Sequence, residues 1–425
     1  MSPYLLAAGA LIVFLYVIKN HRSSNKLPPS PPSLPLIGHL HLIGRLAHRS
    51  LHELQLRYGG GGGLLYLQLG RRRTFIVSTA AAAADLFRNH DLAFASRPHS
   101  VSGDKLMYGC NNVSFAPYGG NWRRGKKIAT VAALVARTRR AAEAGSAAVE
   151  LRELLYGYTN AVITRAATDV LPDAPARFVR WATGLDKKLD DMAEAWDKFL
   201  SELVAAHKEK RDDDGAKDED EDFLDVLLRL REEGTDGLEL TEDRIKAITK
   251  DMIAAATETS TQTLEWTMAE LDEIVRVVSD DQTAIAEPDL NKMEYLKAVF
   301  KEVLRLHPPA PLLVPHESTT PAVVQGYEIP AKTALFVNSP VDFRGTDYQL
   351  IPFGAGRRIC PGINFALPVL ELALASLLRH FEWELPAGMR PGDLDMGEAP
   401  GLSTPRQVPL VLVPKRKTLV QAALE

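Results

Sequence analysis

Cysteine is nearly absent from this chain: two residues in 425, Cys110 and Cys360, which excludes a disulfide framework and fits a reducing compartment. Excess charge of one sign is also missing. Lys and Arg number 50 against 54 Asp and Glu, a net charge of −4, so no nucleic-acid partner is expected. The five-glycine run Gly59 to Gly63 leads into Leu64-Leu65, without the Gly-Lys-Ser/Thr of a phosphate loop. No Gly-x-Gly-x-x-Gly occurs, so the chain has no dinucleotide-binding turn of its own. Internal repeats are lacking as well, and nothing divides the body by composition.

Long apolar runs are scarce. Tyr4 to Ile18 is fifteen residues without a charge, short of the roughly 20 that cross a bilayer comfortably, a deficit that tilt and local thinning can absorb. Lys19, His21, Arg22 and Lys26 follow, and no charged side chain precedes. A cleaved signal peptide has the reverse order. Residues 1–26 therefore read as an uncleaved single-pass anchor and basic flank, with the remainder held on the cytosolic side.

Residues 27–38 hold the prolines 28, 29, 31, 32 and 35 and read as a stiff spacer. A strand is expected at Leu64 to Leu67. Beyond it the apolar period is helical: Leu151, Leu154, Leu155, Tyr158 and Val162 share a face, as do Leu189, Met192, Trp196, Leu200 and Leu203. Arg211 to Asp222 is strongly acidic and reads as a solvated loop. Thr241, with Glu242 and Asp243 after it, makes a helix start. Phe365 to Leu378 is apolar all round, as a buried helix would be, and Pro405 to Pro414 alternates like a short strand pair. The expected fold class is mainly α with a small β region, one domain over 39–425.

Chemistry concentrates in Phe353-Gly354-Ala355-Gly356-Arg357-Arg358-Ile359-Cys360-Pro361-Gly362. Glycines let the backbone close around one sulfur. Arg357 and Arg358 are expected to favour thiolate over thiol, with the following helix aiming its positive end at Cys360. Cys110 reads as a small buried hydrophobe.

This stretch resembles the haem-binding signature of the cytochrome P450 family, Phe-x-x-Gly-x-Arg-x-Cys-x-Gly, at every fixed position. Further resemblances follow in the family's order: Pro35-Leu36-Ile37-Gly38, Phe94-Ala95-Ser96-Arg97-Pro98, Ala255-Ala256-Thr257-Glu258-Thr259-Ser260, and Glu302-Val303-Leu304-Arg305 with Leu306-His307-Pro308-Pro309 after it. What the resemblance implies is a cytochrome P450 fold holding haem b (iron protoporphyrin IX), with Cys360 on the metal and Phe353 and Gly354 in the cofactor loop. Trp122, Lys126, His316 and Arg358 would hold the propionates. Thr259 and Glu258 would manage protons, Glu302 and Arg305 would brace the fold, and Ser100 to Asn112 would line the substrate pocket. The implied reaction inserts one atom of O2 into a small hydrophobic organic substrate, in plant specialised metabolism. Electrons would come from NADPH through NADPH-cytochrome P450 reductase, at the endoplasmic reticulum membrane.

The resemblance breaks in places. Only twelve residues, Ser339 to Leu350, stand where the family has a helix and a meander whose arginine joins Glu302 and Arg305. Further gaps are expected after Leu271, near Thr130-Val131 and near Asp169-Val170. Intact flanks at each edge fit excised blocks, as in a truncated gene model, a splice variant or a recent pseudogene. Two alternatives follow: an inactive haem-binding relic, and a membrane-tethered helical interaction protein without haem.

Overall fold

The computed structural model describes residues 26–129, 184–214, 222–234, 239–270, 293–338 and 351–416. The apolar segment Tyr4 to Ile18, the face expected at Leu151 to Val162 and the interval 339–350 lie outside the described residues. Among the described residues no helix is long and apolar enough to cross a membrane.

The sheet is built first. Strands β1 (Leu64–Leu69) and β2 (Arg72–Val77) pair antiparallel, with Leu64 opposite Val77. β2 then pairs parallel with β6 (Ala334–Val337), and β3 (His316–Glu317) closes the order β1-β2-β6-β3. Successive side chains of a strand take opposite faces. Leu65, Leu67 and Ile76 accordingly meet Leu51 and Leu54 of α1 (Ala47–Tyr58), while Leu64, Phe75 and Val77 meet Ala82, Ala83 and Leu86 of α2 (Ala80–Asn89). The alanine run that begins α2 suits a helix, and Thr79 caps it by accepting from the Ala82 N–H. A hairpin of β4 (Ala322–Val324) and β5 (Tyr327–Ile329) lies beside α2.

The helical body consists of the short α3 (Val101–Leu106), then α4 (Leu185–Asp214), α5 (Phe223–Glu233), α6 (Glu242–Glu270), α7 (Glu294–Leu306) and α8 (Ile363–His380). Its centre is α6. Trp266 of α6, Phe300 of α7 and Leu374 of α8 are fully buried in one cluster, and Ala254 packs with Leu189, Trp196 and Leu200 of α4 in another. Thr241 caps α6 as expected, accepting from the Arg244 N–H at 3.3 Å.

Four local expectations change. The proline stretch is docked: Pro29 accepts from the Tyr66 N–H, His39 reaches the Pro31 carbonyl, and Leu27 packs on the core. The acidic run begins inside α4 and ends at Asp222, which caps α5 in a reciprocal pair with Asp225. Helix α8 has one exposed side, with Val369 at 47%. The tail supplies a single strand, β8 (Val413–Arg416), paired antiparallel with β7 (Phe381–Glu384). For the proline stretch and the tail the partners, Tyr66 and β7, lie far along the chain, beyond what local period reports.

Candidate active site: the cysteine loop and its cations

The loop that carries Cys360 closes on itself. The Cys360 N–H donates to the Phe353 carbonyl at 2.8 Å and the Gly354 N–H to Ile351 at 2.8 Å. Gly354 (φ +70°) and Gly356 (φ +65°) are left-handed, and a Cβ on Gly356 would collide with Asp91. Helix α8 starts directly after Gly362. Burial pushes the Cys360 thiol above its ordinary pKa, while the N–H groups of Gly362 and Ile363 and the charge of Lys126 pull the other way.

Neither arginine serves the sulfur as expected. Arg357 pairs with Asp91, Nε to Oδ2 at 3.2 Å. Arg358 is buried and donates to three main-chain carbonyls: Ala95 (2.6 Å), Ala116 (2.5 Å) and Val113 (3.2 Å). The cation facing the sulfur is Lys126, whose Nζ donates to the Arg357 carbonyl at 2.6 Å. Sequence order could not rank these three, because orientation within the loop decides.

Four residues expected at the propionates do come together. Trp122, in the helical stretch 120–129, donates Nε1–H to the Val113 carbonyl at 3.0 Å. Its ring lies between Arg358 (4.2 Å to the centroid) and Lys126 (5.4 Å). His316, on β3, is buried with Nδ1 2.9 Å from the Phe94 carbonyl. Burial, then the charges of Arg97 and Arg358, hold its pKa well below the ordinary value, so it is a neutral imidazole donating Nδ1–H to Phe94 and does not supply a charge to a propionate.

Arg97 is the member that sequence reading left without a role, though it stands inside the quoted Phe94 to Pro98 motif. It is buried and donates to the carbonyls of Ser114 (3.0 Å), Val314 (2.6 Å) and Pro315 (3.0 Å). Arg97 and Arg358 repel each other, as do Lys126 and Arg358. A group of buried cations bonded to neutral carbonyls calls for anions beside it. With a thiol under two N–H donors, this donor set fits an iron porphyrin and its two carboxylates.

The central-helix pair is placed differently from a simple relay. Glu258 Oε1 accepts from Ser403 Oγ at 2.5 Å and from Gln262 Nε2 at 3.3 Å, toward the C-terminal loop. Thr259 Oγ1 donates to the Ala255 carbonyl at 2.6 Å, the first rung of a ladder continued by Thr263 and Thr267. Nothing in a local pattern pointed to Ser403, 145 residues away from Glu258. Glu302 and Arg305 form the expected ion pair on α7, with two contacts of 2.5 and 2.9 Å, yet the two side chains are 55% and 39% exposed. Cys110 is half-buried at φ +59°, its thiol facing Asp104.

A half-buried cysteine in a glycine-built loop, flanked by the buried Arg97 and Arg358 and by Lys126 on a helical body, defines the class: a protein made to hold haem by a cysteine sulfur. The family model Cytochrome P450 matches residues 28–153, 153–341 and 340–413. Salviol synthase of Salvia pomifera is 35% identical, over 98% of each chain. Strychnine-11-hydroxylase of Strychnos nux-vomica is also 35% identical, over 94% of each. A zebrafish cytochrome P450 solved with abiraterone superposes at a TM-score of 0.65 and 21% identity, covering 87% of this chain and 99% of that one. The chain belongs to the cytochrome P450 family. It is a haem-dependent monooxygenase, acting with O2, an organic substrate and a partner reductase that supplies electrons from NADPH.

The matches also record the shortening. The alignment to salviol synthase spans 497 positions, so at least 72 of them face no residue of this 425-residue chain. One break in the family match, at 340–341, falls within the interval 339–350.

Proposed function

We propose that this chain inserts one oxygen atom into a small hydrophobic plant metabolite, tethered by residues 1–26 to the endoplasmic reticulum membrane with its body, residues 39–425, in the cytosol. Relatives named salviol synthase, strychnine-11-hydroxylase and costunolide synthase support a place in plant specialised metabolism. The observation that carries the reading is the Cys360 sulfur, held beneath the N–H groups of Gly362 and Ile363 in a loop closed on Phe353.

Haem, when bound, supplies the activation of O2 and the cleavage of its O–O bond. The protein's part is positioning and proton handling. Cys360 is the metal ligand, and its two N–H partners moderate the electron density it donates. Phe353 and Gly354 shape the loop. Arg358, Lys126 and Arg97 would hold the two carboxylates, while Trp122 and neutral His316, whose N–H groups are committed to Val113 and Phe94, would pack the site around them. Thr259, its proton committed to Ala255, offers oxygen lone pairs that accept from a water at the reacting centre. Glu258 passes protons inward from the Ser403 side. Glu302 and Arg305 pair with each other across one turn of α7 and so brace that helix itself.

The test is the carbon-monoxide difference spectrum of the reduced full-length chain in detergent, followed by turnover of a plant-metabolite panel with reductase and NADPH. A strongly red-shifted Soret band that Cys360→Ser abolishes, with product formed, supports the reading. A band at the position of a lost thiolate, or haem without turnover, identifies the inactive relic. No Soret band identifies a protein without haem.

A further inference from the structure

Helix α3 and the turn after it, within the stretch Ser100 to Asn112, are held in an unusual way. Tyr108 (φ +50°), Gly109 (φ +69°) and Cys110 (φ +59°) are three consecutive left-handed residues, two of them not glycine. Such strain persists only where the surroundings over-determine it. The surroundings here are two ties. Lys250 on α6 is 1% exposed, and its Nζ donates at 2.7 Å to the carbonyl of Leu106, the last residue of α3. That carbonyl is an orphan acceptor of a helix end. The amine nitrogen lies 4.9 Å from the Trp196 ring centroid on α4. The second tie is Tyr108, whose hydroxyl donates at 2.8 Å to Asp197 of α4, itself paired with Lys246 of α6 at 3.0 Å.

We infer that Lys250 is a positioning residue for the substrate-lining stretch 100–112, fixing the end of α3 against α4 and α6 by its bond to Leu106. The inference rests on the monooxygenase reading only for what that stretch lines. A lysine is an expensive choice for such a place, since an apolar side chain would pack without desolvation. What it supplies is a donor that reaches the Leu106 carbonyl at the end of α3.

The tie is sensitive to protons. Burial lowers the Lys250 pKa from its ordinary value to about 7, with Asp197 opposing. The charge that acts on it is Asp197 of α4; the elements packed against it also carry Lys246 and Asp251 on α6, Asp104 and Lys105 in α3, and Tyr108 and Cys110 in the turn. An opening that wets the amine restores its ordinary affinity and takes up a proton. Opening therefore becomes rarer as pH rises from 7 to 9, by up to about tenfold per unit.

Hydrogen–deuterium exchange of the peptide 100–112 tests this on the full chain, corrected for intrinsic exchange and referenced to the β1–β2 peptide. Protection should rise between pH 7 and 9 in the wild type and lose that slope in Lys250→Met. A flat wild type, or a slope that survives in Lys250→Met, overturns the inference. Should Lys250→Met fail to fold by circular dichroism, Lys250→Gln carries the test: it keeps a donor without a titrating amine, so the slope should vanish, and a slope that survives overturns the inference. With haem bound, Lys250→Met should weaken 4-phenylimidazole binding, read by its spectral shift, at least fivefold at unchanged haem content; an equal Kd counts against a positioning role. Exchange needs no haem, so absence of a Soret band would sink the monooxygenase reading without touching this result.

Discussion

Arg358 lies over Trp122, its guanidinium carbon 4.2 Å from the ring centroid, and the two side chains donate to the same carbonyl, that of Val113. The pair joins the cysteine loop to the helical stretch 120–129, and it forms from residues 236 positions apart. Geometry of this kind needs the planar fork of arginine, which stacks on the ring while donating in several directions.

Arg358→Lys should therefore destabilise the protein by about 2–3 kcal/mol, because one ammonium nitrogen cannot reach the three buried carbonyls that the fork spans. The urea midpoint of the variant measures it, and haem retained after gel filtration should fall in parallel. An unchanged midpoint would mean that water replaces the fork without loss.

Glu258→Gln keeps the shape of the side chain and its contact with Ser403 while removing the ionisable proton. Product formed per NADPH consumed should fall by about 10- to 100-fold, with substrate affinity unchanged. Ser403→Ala should do the same to a smaller degree, since water can enter in place of the hydroxyl. Equal coupling in all three chains would dismiss Glu258 from proton delivery.

Trp266 stacks on His307 with ring centroids 3.7 Å apart and planes within 2°, and donates its Nε1–H to the Thr404 carbonyl at 3.2 Å. Arg406 covers its ring at 5.1 Å. Trp266→Ala should cost about 3–5 kcal/mol, from the cavity and the lost stack. Denaturant unfolding measures it; a loss under 1 kcal/mol would show that α6, α7 and α8 repack.

His207 and Asp222 tie α4 to the start of α5 with Nε2 and Oδ2 2.8 Å apart. The hydrogen bond to Asp222 raises His207 to about 9 against burial, and Asp222 falls to about 2 despite burial, through His207 and the N–H groups of the cap. The raised histidine stabilises fully below its unfolded pKa of about 6.5, and that contribution fades as pH climbs through about 9. The depressed aspartate stabilises above about pH 4 and loses this as pH falls through about 2. The stability difference between wild type and His207→Gln should thus be largest near pH 4–6.5 and shrink by pH 9. A constant difference in urea midpoint from pH 6 to 9.5 would rule the pair out as an ionic tie.

Much of the site was legible because its decisive part is contiguous. Ten residues carry the thiol, the left-handed glycines and the helix start, so Cys360 needs no distant partner to declare itself. Trp122 and Lys126 were legible for a related reason: one helical turn separates them, and both ends of the spacing are chemically distinctive. Arg97 and Ser403 were not, since each acquires meaning from groups more than 140 residues away. The strands behaved similarly. Leu64 to Leu69 shows in the pattern, whereas β3 is two residues long and exists through its pairing with β6.

By itself the sequence determined that one cysteine would be wrapped in a tight loop at the head of a helix, that the body would be mainly helical, and that some of the family's length is missing. Those properties follow from backbone freedom at glycine, apolar period and residue count, which are local. Tertiary structure alone decided that Lys126 and not an arginine faces the sulfur, that His316 is neutral, that Glu258 turns to Ser403, and that Glu302 and Arg305 stand exposed. Each of these depends on burial and on the field of distant charges. Both are set only once the chain has brought together groups that the sequence keeps apart.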